Sequence, residues 1–127
     1  MPYAAITYRV KPGHEEEINQ VFDRFRRVSS PVITNEHGAR VGMLLGTALF
    51  LKDDVMVRFI HYDGQLADVA RYMSRQEGMR AAERDLSPFL AQPRDTQTPE
   101  GFLRYFDSST MRCLQQFSLP PGAAAAS

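Results

Sequence analysis

One arginine is chemically out of place. Arg58 interrupts VMVRFIHY, residues 55–62, with Val57 before it and Phe59 and Ile60 after it. A guanidinium stays charged and needs acceptors when buried. Strand side chains alternate between faces, so Arg58 shares a face with Met56 and Ile60. Two roles fit such a residue. It binds a ligand carboxylate, or meets negative charge developing on an enolate or phenolate. Alternatively it pairs with an internal carboxylate such as Asp85 or Glu83 and serves the fold alone.

The other candidates are weaker. His61 lies on the same stretch but on the opposite face from Arg58. It titrates near neutral pH and suits a general base, or equally a satisfied residue at a strand end. Tyr8 and Thr47 place hydroxyls inside apolar strands, where each could bond a ligand oxygen or sit in the core; Tyr62 reads as core. The catalytic candidates are therefore Arg58, Tyr8 and His61. The binding candidates are Thr47, Met56, Ile60 and Arg75. Arg75 and the Arg94-Asp95 pair also read as local ion pairing that orders the loop after the second helix. His37 falls in a polar loop and His14 at a helix start. Met43, Met56, Met73, Met79 and Met111 suit either an adaptable cavity lining or a core.

Certain chemistries lack their signatures. The three histidines and Cys113 show no zinc spacing, so no metal site is expected. There is no glycine-rich phosphate loop or dinucleotide fingerprint, and no cofactor is expected. A lone Cys113 excludes an internal disulfide, and its apolar-alternating surroundings suggest a packed thiol.

These residues must be held by strands and helices. Tyr3 to Val10 (YAAITYRV) reads as a strand, broken by Pro12-Gly13. Ile18, Val21, Phe22, Phe25 and Val28 form one helical stripe over about His14 to Val28. Glu15, Glu16 and Glu17 precede Arg24, Arg26 and Arg27 along it, as the helix dipole favours. Ser29 to Gly38 reads as a polar connection long enough to reach over an opening. Val41 to Leu51 and Val55 to Tyr62 form a hairpin around Lys52-Asp53-Asp54. Both strands are apolar at nearly every position, so both faces should be covered.

A second helix begins near Leu66, is interrupted at Gly78 and runs on to Pro88. Thr98 can cap a short helix opened by Pro99. Met111 to Phe117 (MRCLQQF) reads as the last strand, and residues 119–127 as a disordered tail. The order β-α-β-β-α-(α)-β predicts an α+β, ferredoxin-like four-stranded antiparallel sheet in a single domain, 1–118, with helices on one face. The other face needs a partner. A homodimer joined sheet to sheet would close a barrel and create a cavity. Arg58 would point into it, and His61 toward the helices or the strand end.

The 127 residues suit one domain, and 15 basic against 15 acidic residues give no net charge to attract nucleic acid or an anionic membrane. No apolar run approaches a membrane span, and no signal peptide is visible, so a cytoplasmic location is expected.

The second half of the chain resembles a family. LLGTALFLKDDVMVRFIHYDG, YMSRQ, ERDLSPFLAQPRD, TPEGFLRYF and MRCLQQF follow one another. The succession is similar to the SchA/CurD-like domain of aromatic polyketide and spore-pigment gene clusters, over roughly Leu44 to Phe117. A more distant likeness is to the tetracenomycin-type polyketide cyclases, laid without a gap on Phe50 to Leu90. A cavity histidine of that group falls at Arg58 here, and a cavity arginine at Thr47. Its histidine-aspartate pair falls at Phe25 and Arg26, so its polar set is not kept.

The resemblance implies a dimeric α+β barrel acting on an aromatic polyketide, with no cofactor. The first activity it implies is cyclisation of a poly-β-ketone, which needs folding of the chain, exclusion of water and movement of a proton. The alternatives are a cofactor-independent monooxygenase of phenols, and a non-catalytic accessory protein that docks onto other polyketide synthase components.

Overall fold

The computed structural model describes residues 2–24, 30–117 and 119. Four strands form one antiparallel sheet: β1 (Tyr3–Arg9), β2 (Val32–Thr34), β3 (Arg40–Lys52) and β4 (Val55–Asp63), in the order β1-β4-β3-β2. The helices are α1 (Glu15–Asp23), α2 (Leu66–Ser74), α3 (Glu77–Leu86) and α4 (Pro99–Ser109), with a 3-10 turn at Ser87–Phe89. This is the α+β, ferredoxin-like four-stranded antiparallel sheet with helices on one face that the sequence predicts, although its fourth strand comes from a different segment.

The sheet's two faces differ because the strands alternate. Ala4, Ile6 and Tyr8 of β1 and Met56, Arg58, Ile60 and Tyr62 of β4 point to one side and are buried. There they meet Ile18 of α1, Val69 and Met73 of α2, Met79 and Leu86 of α3, and Phe102 and Phe106 of α4 in one core. Full burial of such apolar side chains contributes about 1.5–3 kcal/mol each. The opposite face is open. Phe50 is 61% and Phe59 42% exposed, and their rings meet edge to face at 5.6 Å. Within this chain the hairpin is therefore covered on one side only.

The hairpin turns through Asp53, whose positive φ of 55° an aspartate tolerates better than most residues. Gly64 ends β4 at φ +105°, and a Cβ there would lie 2.6 Å from the Val41 carbonyl oxygen, so only glycine fits. Thr98 caps α4 as its sequence predicts, accepting the Gly101 N–H at 3.1 Å behind Pro99.

Several elements depart from the sequence reading. The fourth strand is Val32–Thr34, inside what reads as a loop, and not Met111 to Phe117. The C-terminal stretch does lie beside β1, through the Ile6–Thr110 bridge, Met111 N–H to Ala5 O at 2.8 Å and Tyr3 N–H to the Gln116 side chain at 2.8 Å. These contacts are too sparse for a ladder. Cys113 is consequently exposed rather than packed. The polar connection closes on itself at Asn35, whose side chain accepts from His37 and Ala39 N–H groups. The break between the second pair of helices falls at Arg75-Gln76, and Gly78 lies within α3. The expected end of the first helix, with Phe25, Arg26, Arg27 and Val28, and the tail beyond residue 119 lie outside the described residues.

Candidate functional site

Strand register brings three of the sequence candidates together. Arg58 stands opposite Ile6 on one side and Leu49 on the other, while Tyr8 stands opposite Met56 and Thr47 opposite Ile60. Tyr8 and Thr47 are thus the diagonal cross-strand neighbours of Arg58, within reach of a long side chain. Arg58 is 7% exposed. One guanidinium nitrogen, Nη1, donates to the Thr47 hydroxyl at 3.1 Å. Its carbon lies 5.5 Å from the centre of the Phe22 ring. Its buried Nε has no hydrogen-bond partner among the described residues. Thr47 is itself exposed, so the cluster meets solvent at this hydroxyl.

Deeper in, Tyr8 links the sheet to a second charge pair. Its hydroxyl lies in the electrostatic reach of both Glu83 and Arg58. Glu83 is 4% exposed. One of its carboxylate oxygens accepts from Thr96 Oγ1 at 3.4 Å and lies 3.8 Å from Arg94 Nε. Arg94 packs its guanidinium over the Tyr8 ring at 4.4 Å and the Tyr105 ring at 5.4 Å, and donates to Ser109 at 3.3 Å. The loop carrying Arg94 is tied to the end of β1 by Lys11 N–H to Phe89 O and Ala91 N–H to Arg9 O. That tie sets Arg94 over Tyr8.

Burial dominates the electrostatics. It pushes the Glu83 carboxyl above the ordinary carboxylate range, against the opposing pull of Arg94, the Thr96 hydrogen bond, Arg58 and Tyr8. Burial also raises the Tyr8 phenol, helped by Glu83 and opposed by the two arginines, so Tyr8 is a neutral donor near neutral pH. Two buried guanidinium groups thus face one buried carboxyl. The cluster carries excess positive charge in apolar surroundings, and Nε of both Arg58 and Arg94 lacks a hydrogen bond among the described residues. An enclosed cation that is incompletely paired attracts an anion or an oxygen bearing developing charge.

The remaining candidates lie elsewhere or play other parts. Met56 and Ile60 flank Arg58 and are fully buried in the core. His61 is on the open face, stacked on Tyr3 at 4.3 Å, because the helices cover the face that Arg58 occupies. This reverses the expected assignment of faces. Arg75 sits exposed at the end of α2, and its guanidinium donates to the Arg71 and Thr34 carbonyl oxygens. Arg94 pairs with Glu83 and not with Asp95. Asp85 is exposed and forms no salt bridge with Arg58. His37 is an exposed turn residue beside Glu36, and His14 bonds Glu17.

Two cluster members were not among the catalytic or binding candidates read from sequence: Glu83 was named only as a structural partner for Arg58, and Arg94 only as an ion-pairing residue. Glu83 carried a signal: Met79, Ala82, Glu83 and Leu86 fall at i, i+3, i+4 and i+7, so a carboxylate interrupts a buried stripe. Arg94 carried none, since it lies in a loop without periodicity. A groove of about 590 Å³ lies elsewhere, on the open face, lined by Tyr3, Phe59, Met111, Leu114 and Phe117 among others. It is apolar and lacks the charges of the Arg58 cluster. Among the described residues no group of three histidine, cysteine or acidic side chains could hold a metal ion, and no helix is long and apolar enough to cross a membrane.

Comparison with known proteins agrees with this architecture. The chain is 31% identical over 121 residues to a 42.8 kDa protein in the whiE locus of Streptomyces coelicolor, covering 95% of this chain and 29% of that protein. It is 30% identical over 107 residues to polyketide synthase CurD of Streptomyces cyaneus, covering 84% of this chain and 28% of that one. Protein SchA of Streptomyces halstedii is 29% identical over 139 residues, covering 96% of this chain and 35% of its own. The chain thus spans about a third of the length of these relatives. Its fold matches tetracenomycin F2 cyclase of Streptomyces glaucescens, a type-II polyketide cyclase, with a TM-score of 0.59, 13% identity and coverage of 94% of this chain and 100% of that one. The family model of the SchA/CurD like domain matches residues 1–119, so the chain belongs to the SchA/CurD-like family.

Proposed function

We propose that this domain is an aromatic polyketide cyclase that promotes intramolecular aldol closure of a poly-β-ketone without a cofactor. The carrying observation is the buried, incompletely paired Arg58 between Tyr8 and the solvent-exposed Thr47. The polyketide context of the relatives and the cyclase-like fold support the same reading.

The chemistry asks little of a protein. A methylene between two carbonyls, acidified by both, loses a proton to solvent at the Thr47 side of the cluster, and the enolate oxygen carries the charge. The enolate carbon attacks a ketone of the same chain, and the new alkoxide takes up a proton. Loss of water then gives the aromatic ring. In this reading Arg58 stabilises the enolate oxygen, at lower reorganisation cost than water because its position is already fixed by Thr47 and Phe22. Tyr8, held neutral, supplies a hydroxyl to the same oxygen or to the alkoxide. Met56 and Ile60 keep the surroundings apolar. The open sheet face, with Phe50 and Phe59 exposed, is the face a second copy would cover in a homodimer.

The test is reconstitution with a minimal aromatic polyketide synthase, with and without this chain, read by mass spectrometry. A product changed only by loss of water or in ring connectivity supports the proposal. A gain of oxygen replaces it with the monooxygenase. An unchanged product spectrum with several starter and chain lengths leaves the accessory role.

A further inference from the structure

Glu83 occupies the innermost position of the cluster, and the cyclisation chemistry above does not use it. Its surroundings are charged from several elements. Arg94 and Thr96 contact it from the loop that precedes α4, and Arg58 from β4 and Tyr8 from β1 act on it electrostatically. With Glu83 ionised, the two arginines and one carboxylate sum to a single positive charge. With Glu83 protonated, the sum is two. The medium is apolar, so this difference is poorly screened and is felt at Arg58.

We propose that Glu83 is the positioning residue that sets the charge of this buried cluster, so that its protonation strengthens the grip of Arg58 on an aromatic anion. The proposal rests on the reading that Arg58 meets an anionic aromatic ligand. It adds the switch that tunes that affinity. Because binding and protonation are linked, the ligand must in turn draw a proton onto Glu83. The raised proton affinity that burial gives Glu83 moves this switch toward the range in which a protein works. Arg94 restrains the shift, and Thr96 orients the carboxyl through its hydroxyl.

The test uses anthraquinone-2-sulfonate, a polycyclic aromatic whose charge is constant across the pH range. Its dissociation constant is measured from pH 4.5 to 9 for the whole chain, for Glu83→Gln and for Arg58→Met. The expected result is wild-type binding that weakens about 10- to 100-fold as pH rises, as loss of one net charge in such a site implies. Glu83→Gln should bind tightly with a flat pH profile. Calorimetry of the wild type in two buffers of different ionisation enthalpy gives a second readout that needs no variant: binding should take up a proton where Glu83 is ionised. A flat wild-type profile with no proton uptake overturns the proposal, as does a Glu83→Gln profile that still follows the wild type. Arg58→Met should lose the probe. If it binds as well as the wild type, the reading of Arg58 fails, and this proposal with it. Turnover of a polyketide is not needed for any of these outcomes.

Discussion

Replacing Arg58 with methionine separates a functional arginine from a structural one. A structural arginine stabilises the fold, so its loss should unfold the protein. Arg58 donates one side-chain hydrogen bond, to an exposed threonine, and leaves a buried Nε unpaired among the described residues. Water can replace the guanidinium at Thr47, so losing that bond costs about 1 kcal/mol. The contact with the Phe22 ring is worth about 0.5–2 kcal/mol, much of which a methionine sulfur restores. Against these stand the unsatisfied Nε, about 1–3 kcal/mol, and desolvation of the Arg58 charge, while Arg94 still balances Glu83 when Arg58 is gone. Met56, Ile60, Ile6 and Leu49 surround the site and would accept a thioether.

The net expectation is a gain of about 0–2 kcal/mol. For a domain of this size that is a rise in Tm of roughly 0–8 °C. Product formation, by contrast, should fall about 10²- to 10³-fold, as when a preorganised oxyanion donor is removed. Thermal melts and mass spectrometry on the same preparation check both. A variant destabilised by about 3 kcal/mol or more that still forms product would refute the reasoning and make Arg58 a structural residue.

Other outcomes follow from the same structure. Glu83 binds its proton more tightly in the folded chain than at its ordinary value of 4.5. The stability this contributes is therefore full below that value and is lost as pH rises through the raised folded-state value. Denaturation as a function of pH should show this decline in the wild type and not in Glu83→Gln; parallel curves would contradict it. Thr98→Ala removes the side-chain cap on α4 and should cost about 1 kcal/mol in urea unfolding, whereas Thr98→Ser should cost little. Phe59→Lys places a charge in the middle of the open apolar face. Light scattering at micromolar concentration should show a dimer for the wild type and a monomer for this variant, and a monomeric wild type would sink the sheet-to-sheet arrangement.

The sequence by itself determined whatever depends on local periodicity. Alternation along β4 put Arg58 on one face with Met56 and Ile60 and sent His61 to the other. Hairpin register then made Thr47 its diagonal neighbour, whereas Tyr8 came beside it only through the pairing of β1 with β4. Thr98 and Pro99 marked a helix start, since a cap is chemistry within one turn. Tertiary structure decided the rest. Alternation cannot say which face the helices cover, and here they cover the one holding Arg58. A three-residue strand such as Val32–Thr34 is too short to show a period, while Met111 to Phe117 has strand-like composition but gains few backbone partners beside β1. The meeting of Tyr8, Arg58, Glu83 and Arg94 joins residues far apart in the chain. Burial alone selects those partners, because an arginine and a glutamate removed from water must find each other, whereas Asp95 and Asp85 remain solvated and have no such need.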